Sequence, residues 1–475
     1  MSAGELLRQC EQNGIAPAYT ANAEMDSQGR DIVVVSDLHM SAGKGVDGNY
    51  SGTENFFSDG AFLRFIRSLD AEKARKSILV INGDFVDFLR VTELPDKEHE
   101  FAQWLAVLDS VGITTFTVED LKRSIDDKER KYGLKTHEFK SVWKLAAVVK
   151  GHPEVFAALA YWMEQGNSLV ITKGNHDLEW YWPGVRNYLR LALAGPGLST
   201  PILQALYFID DSVLVDGVFH IEHGHKRDKF TTSLDSPVLE GGLELNLPFG
   251  SFFNRYLLNR TELVFPYLDN VRPAQNLLPM LFEKDFFLGL KVLFQHIPFM
   301  LRMIPKKYFR YMFKDFLVFL LAVAAPGAAM IALIAKMAMN DVAQPQSVTK
   351  VLSAILMPVL SYFLTRLLAR FKLIEPDYLS DAAREILAQH DDFRVITMGH
   401  THNPEQFREQ ERWYFNTGTW IPIVEARSES IREDRTYTYL HLRHDEAGAI
   451  QPAVLMRWND DARSTEPLVL LCPKR

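Results

Sequence analysis

Two rhythms of apolar and polar residues run along this chain. In one, aliphatic and β-branched residues follow each other without a break, as in Ile32-Val33-Val34-Val35. Such a run reads as a strand covered on both faces. In the other, apolar residues return every three or four positions, as over 61–73, which reads as an amphipathic helix. The first rhythm predicts strands over Asp31–Ser36, Ser77–Asn82, Ser168–Thr172, Ser212–Glu222 with a turn at Asp216-Gly217, and Phe393–Met398. Three later segments, Arg412–Trp420, Thr436–Arg443 and Pro452–Trp458, alternate aromatic and polar residues and predict an antiparallel finish. Strands separated by helical stretches make the frame α/β.

Two intervals interrupt that frame. Residues 91–165 carry charge together with Leu, Phe and Trp at helical spacing, which predicts a helical insertion with a structural role. Residues 236–390 contain Phe316–Met339, whose first 20 residues before Lys336 are uncharged, about the length that crosses a bilayer core. A weaker apolar stretch, Val351–Ala369, follows. Arg302, Lys306, Lys307, Arg310 and Lys314 precede the pair and Arg366, Arg370 and Lys372 close it. That charge bias predicts a membrane-inserted hairpin at an inner or plasma membrane, with both flanks and the rest of the chain in the cytoplasm. Upstream, residues 277–305 mix apolar and charged positions as a helix lying along the interface would, or one capping the core. The expected organisation is an N-terminal extension (1–30), the first part of an α/β core (31–235), the apolar helical insertion (236–390) and the closing part of the core (391–475).

Composition narrows the function classes. A net charge of −8 over 475 residues argues against a nucleic-acid binder working through a basic surface. The two cysteines, Cys10 and Cys472, build neither a disulfide framework nor a cysteine zinc site. The opening "MSAGELLRQCEQNG" lacks a basic flank followed by an apolar core, so no cleaved secretory signal is expected.

The chemistry sits where the strands stop. Five blocks follow predicted strands: Asp37-Leu38-His39, Gly83-Asp84-Phe85-Val86-Asp87, Gly174-Asn175-His176-Asp177, His223-Gly224-His225 and Gly399-His400-Thr401-His402. Each puts carboxylate, amide or imidazole groups on a tight turn at the carboxyl edge of a sheet, where α/β proteins bind ligands. Together they offer more ligands than one metal needs and suit two metals sharing a bridge. Mixed nitrogen and oxygen donors favour manganese first, with iron or zinc as alternatives, over magnesium or calcium.

In this order the blocks resemble the calcineurin-like metallophosphoesterase superfamily, whose pattern runs Asp-x-His, Gly-Asp-x-x-Asp, Gly-Asn-His-Asp/Glu, His and Gly-His-x-His. The resemblance spans residues 31–90, 166–230 and 393–420 and implies a four-layer α/β/β/α sandwich. It further implies that one divalent metal takes Asp37, His39 and His402, a second takes Asn175, His223 and His400, and Asp84 bridges them. His176 is then the general acid, oriented by Asp87. His225 and Asp228 either face substrate or support their turn. In motif style the chain looks most like the UDP-2,3-diacylglucosamine hydrolase branch, which is shorter, lacks the apolar pair and has Asp where His225 stands. The implied function is hydrolysis of a phosphoester or pyrophosphate bond at a membrane, on a phosphorylated small molecule or a lipid-linked substrate. The alternatives are a membrane-anchored protein or nucleotide phosphatase or phosphodiesterase, and a scaffold with a vestigial site.

Overall fold

The computed structural model describes residues 3–45, 47–72, 76–264, 271–272, 281, 284–313, 378–425, 431–445 and 450–470. Its strands are β1 (Thr20–Met25), β2 (Asp31–Val35), β3 (Ser77–Asn82), β4 (Ser168–Thr172), β5 (Leu206–Val215), β6 (Phe219–Glu222), β7 (Val271–Arg272), β8 (Val395–Met398), β9 (Glu405–Glu409), β10 (Arg412–Asn416), β11 (Val424–Glu425), β12 (Thr438–Leu442), β13 (Val454–Asn459) and β14 (Ser464–Pro467). All but β7 and β11, which pair with each other, belong to one sheet. Its order is β14-β13-β12-β2-β3-β4-β5-β6-β8-β10-β9, with β1 attached to β5.

The uninterrupted apolar runs are buried on both faces, and alternation sorts their residues between two cores. Val33, Val35, Leu79, Ile81, Leu169 and Ile171 point to one side, where Phe62, Phe65, Val155, Leu159 and Trp162 of the helices Asp59–Glu72 and Pro153–Glu164 meet them. Ile32, Val34, Ile78, Val80 and Val170 point to the other and pack on Val213, Phe219, Ile221, Val395 and Phe415. The helix Tyr378–Gln389 covers the outer face of β8 and β10 through Leu379, Ala383, Ile386 and Leu387.

The 10-residue strand β5 joins the two halves. Leu206 to Ile209 pair with β4, whereas Ser212 to Val215 pair with β6. Because β6 returns antiparallel across the turn at Asp216 and Gly217, its last residue Glu222 lies opposite Ser212. The last residue of β4, Thr172, lies opposite Ile209. The carboxyl ends of β4 and β6 thus arrive together at the middle of β5, and β8, parallel to β6, brings its own end to the same place.

Several expectations are corrected. The strands form one continuous sheet within a mixed α/β fold rather than two separate sheets, because β5 is shared by both halves and the sheet curls there so that the halves face each other across one core. The antiparallel finish is divided: β10 pairs parallel with β8 on one flank, while β12 to β14 run antiparallel beyond β2 on the other. The membrane-inserted apolar helix is withdrawn, and the membrane-associated location with it. Among the described residues no helix is long and apolar enough to cross a membrane. The longest, Asp59–Glu72 and Glu138–Gly151, have 14 residues against the roughly 20 that a bilayer core demands. The stretches Phe316–Met339 and Val351–Ala369 lie outside the described residues.

Residues 286–303 form one helical run, Phe286–Lys291 and Ile297–Met303 being joined by the π-helical turn Val292–His296, and the chain turns at Ile304 into Lys306–Tyr311. Val292, Met300, Ile304 and Tyr308 bury against Tyr132 and Tyr256 in a satellite core.

Candidate metal centre

The five blocks meet where the strand ends converge. Two backbone hydrogen bonds lock the first pair of loops: Asp37 N donates to Gly83 O (3.2 Å) and His39 N to Asp84 O (2.8 Å). Gly399 N donates to His223 O (3.1 Å) and His400 N to Asp37 Oδ2 (3.0 Å), so the last loop is pinned to the fourth and the first. Asp37, His39, Asp84, His400 and His402 all hold φ between 48° and 70°, a left-handed conformation costing a non-glycine residue on the order of 1–3 kcal/mol. Five of the seven candidate ligands are therefore held in strained backbone by the surrounding packing.

The motif glycines are needed for close approach. A Cβ on Gly174 would run into the Asp84 carboxylate and sit 2.5 Å from its amide nitrogen. On Gly399 it would lie 2.5 Å from both Asp37 Oδ2 and Ser36 Oγ, and on Gly83, at φ 76°, it would meet the His223 ring.

Three groups of side chains bring one donor atom each within metal-binding reach of the others: Asp37, His39 and His402; Asp84, His223 and His400; and His39, Asp84 and His176. In the first, His39 Nε2 faces His402 Nε2 at 2.9 Å, with Asp37 Oδ1 3.7 and 3.4 Å from the two. In the second, His223 Nδ1 lies 2.8 Å from the Asn82 carbonyl and donates to it, which leaves Nε2 turned to Asp84 Oδ2 at 3.1 Å. His39 Nε2 stands 3.6 Å from the same Asp84 oxygen, so that carboxylate joins both groups.

Such an arrangement of lone pairs repels itself unless cations stand among them. Asp37 Oδ1, Asn175 Oδ1 and His223 Nε2 are buried without a hydrogen-bond partner, as expected of metal ligands. Negative charge is also visible in the imidazoles. Burial alone would lower the pKa of His223, but Asp84 outweighs it and holds the ring up at about 9. At His39 burial again pulls the pKa down, but the carboxylates of Asp37 and Asp87 beside the ring outweigh it and hold the pKa well above the usual imidazole value. Asp37 goes the other way: against its burial, the adjoining His39 and His402 imidazoles keep it well below the usual carboxylate range. The donor set therefore fits two divalent cations.

His176 is the most open of these imidazoles, its side chain 19 % exposed. Its Nδ1 lies 2.7 Å from Asp87 Oδ2, so Asp87 fixes the tautomer and leaves Nε2 for a ligand. Burial, which opposes the change, is outweighed by the charges of Asp87 and Asp84, and the pKa is raised. Asp228 supports rather than reaches outward: Oδ2 lies 3.2 Å from His400 Nε2 and Oδ1 accepts from Phe230 N at 2.8 Å, which leaves His400 Nδ1 for a metal. His225 is buried against His223, ring centroids 5.4 Å apart.

Several supporting residues carry no sequence-based assignment. Asp177 accepts from Gly174 N (2.6 Å), Phe85 N and Trp180 Nε1 (both 2.9 Å), fixing the turns that present Asn175 and Asp84. Burial, then the Asp84 charge, raises its pKa to about 6. Asn254, buried, places Nδ2 3.4 Å from Asp87 Oδ2 and 3.1 Å from His176 Nδ1. Arg90 pairs with Glu262 and stands 3.5 Å from Asp87, and Asn259 Nδ2 donates to Leu89 O (2.7 Å). A signal for this second set exists: Asn254, Arg255 and Asn259 are buried polar residues inside an apolar stretch.

Neither the models of known protein families nor the curated proteins include a match to this chain.

Proposed function

We propose that this chain is a metal-dependent phosphoesterase of the calcineurin-like metallophosphoesterase superfamily, hydrolysing a phosphoester or pyrophosphate bond. One observation carries it: two donor groups, Asp37 with His39 and His402 and Asp84 with His223 and His400, joined through Asp84 and containing buried donor atoms with no partner. Asn175 completes the second group. Two divalent cations, manganese first, would supply charge stabilisation for a phosphate and a nucleophilic hydroxide at neutral pH.

The residues divide the remaining work. His176, with its raised pKa, holds a proton at Nε2 and delivers it to the leaving oxygen, while Asp87 keeps the ring oriented. Asn254 Nδ2 donates to Asp87 Oδ2 from the outer side. The buried sheet edge limits ligand motion, which preorganises the site.

Asp84→Asn tests the proposal, since the bridge contributes to both cation positions. The expected result is loss of bound metal, read by elemental analysis, together with loss of phosphoesterase activity. A wild-type chain that takes up no transition metal after supplementation with manganese or zinc defeats it.

A further inference from the structure

A second concave site lies beside the satellite core of Tyr132, Tyr256 and Met300 and uses none of the metal-centre residues. Between the helix Asp127–Tyr132 and the segment 294–302 opens a cavity of about 280 Å³. Tyr132 and Phe299 form one wall, their rings stacked 5.2 Å apart, and Phe294 stands at the rim, 73 % exposed. Lys131, Arg302, Gln295 and the buried His296 supply the polar lining, and no carboxylate is among the lining residues. Neither Lys131 nor Arg302 is paired with a carboxylate among the described residues, and Lys131 Nζ lies over the Tyr132 ring at 5.2 Å. Burial, then Lys291, Arg260 and Lys131, push the His296 pKa down, so with Arg302 five cationic or basic groups share this corner.

We propose that this cavity binds a phosphomonoester carrying an apolar body, the phosphate held by Lys131 and Arg302 and the body lying on Phe299 and Phe294. The Arg fork and the Lys point charge suit a multiply charged anion with several acceptor oxygens. A neutral His296 adds a donor or acceptor without competing for charge. The volume falls just under the usual range for drug-sized ligands, which admits a phosphorylated head and leaves the body at the exposed aromatic rim. An exposed Phe beside uncompensated cations has no role in a purely ionic site.

Calorimetric titration of the full chain in the presence of a chelator separates this cavity from phosphate bound at the metal centre. The probes are monomeric dihexanoyl phosphatidate, AMP, glycerol 3-phosphate and inorganic phosphate. Saturable binding of phosphatidate or AMP is expected, at least about tenfold tighter than glycerol 3-phosphate. Preference between the first two tells an acyl body from a flat ring. Lys131→Gln with Arg302→Gln should weaken binding at least about tenfold. Phe294→Ala, at an exposed position that leaves folding intact, should weaken only the ligands with an apolar body. Binding of neither probe beyond inorganic phosphate, or binding unchanged in both variants, overturns the proposal. Metal content and hydrolysis do not enter this readout, so its failure leaves the phosphoesterase proposal standing.

Discussion

His176 differs from its neighbours in what its two nitrogens do. Nδ1 is committed to Asp87 and the ring is the most open of the cluster, so its removal should take away proton delivery and little else. His176→Ala is expected to lower turnover of an unactivated phosphoester by about 10²–10⁴-fold with metal content preserved. Steady-state rates beside elemental analysis check both halves; full activity would remove His176 from the chemistry. The glycines act by what they lack. Gly399→Ala puts a methyl group 2.5 Å from Asp37 Oδ2 and Ser36 Oγ, so the loop must shift. We expect lower metal occupancy and a loss of about 1–3 kcal/mol in denaturant unfolding, the usual cost of overpacking. Gly197→Ala, with nothing within 4 Å, is the control and should change neither.

Among the elements, the junction between the helices Glu138–Gly151 and Pro153–Glu164 ties the helical insertion to the first metal loop. His152, fully buried, lies 2.8 Å from Asp59 Oδ1 and 3.0 Å from Glu54 Oε2. Glu54 in turn accepts from Ser41 N and Gly43 N, the residues that follow His39. Burial alone would lower the His152 pKa, but hydrogen bonds to Asp59 and Glu54 raise it to about 9. A folded-state pKa above the unfolded value of about 6.5 gives stability that is complete below pH 6.5 and is lost as pH climbs through 9. The full span amounts to on the order of 3 kcal/mol. Urea unfolding of the manganese-loaded chain at pH 6.5 and 9, beside His152→Gln, should show the gap between the two proteins shrink as pH rises. A gap constant across that window would mean that His152 carries no charge in the fold.

For the whole molecule, the proposed metal centre makes stability and cation binding one equilibrium. Removing cations leaves buried carboxylates facing imidazole lone pairs, and protons then take over part of the compensation, as the raised His39 and His223 show. Chelation should therefore lower the melting temperature, more at pH 9 than at pH 7, because those replacement protons are lost as pH rises through the elevated His223 value. Returning manganese at a hundred times its dissociation constant should restore about 2.7 kcal/mol for each cation position filled. Scanning calorimetry with and without chelator measures this, and a melting temperature indifferent to both additions would argue against any cation in the native fold.

What the sequence determined by itself was local. A run such as Ile32 to Val35 has no polar residue to turn towards water, so it marks a doubly buried strand, and the Asp, Asn, His and Gly that follow such runs mark the sheet edge. The candidate ligands were legible for that reason. Strand order was not, because pairing depends on where a chain returns. Only the tertiary structure showed that β5 serves both halves of the sheet and brings Thr172 and Glu222 to its middle. Polar residues inside an apolar stretch marked Asn254, but its partner was hidden for the same reason: Asn254 and Arg90 come from distant segments, and nothing next to them in the chain records that they meet at Asp87. Nor did the sequence decide between an interfacial and a capping role for residues 277–305: Met300 and Ile304 find protein neighbours in Tyr132 and Tyr256, and a hydropathy pattern does not say which apolar surface a segment will meet.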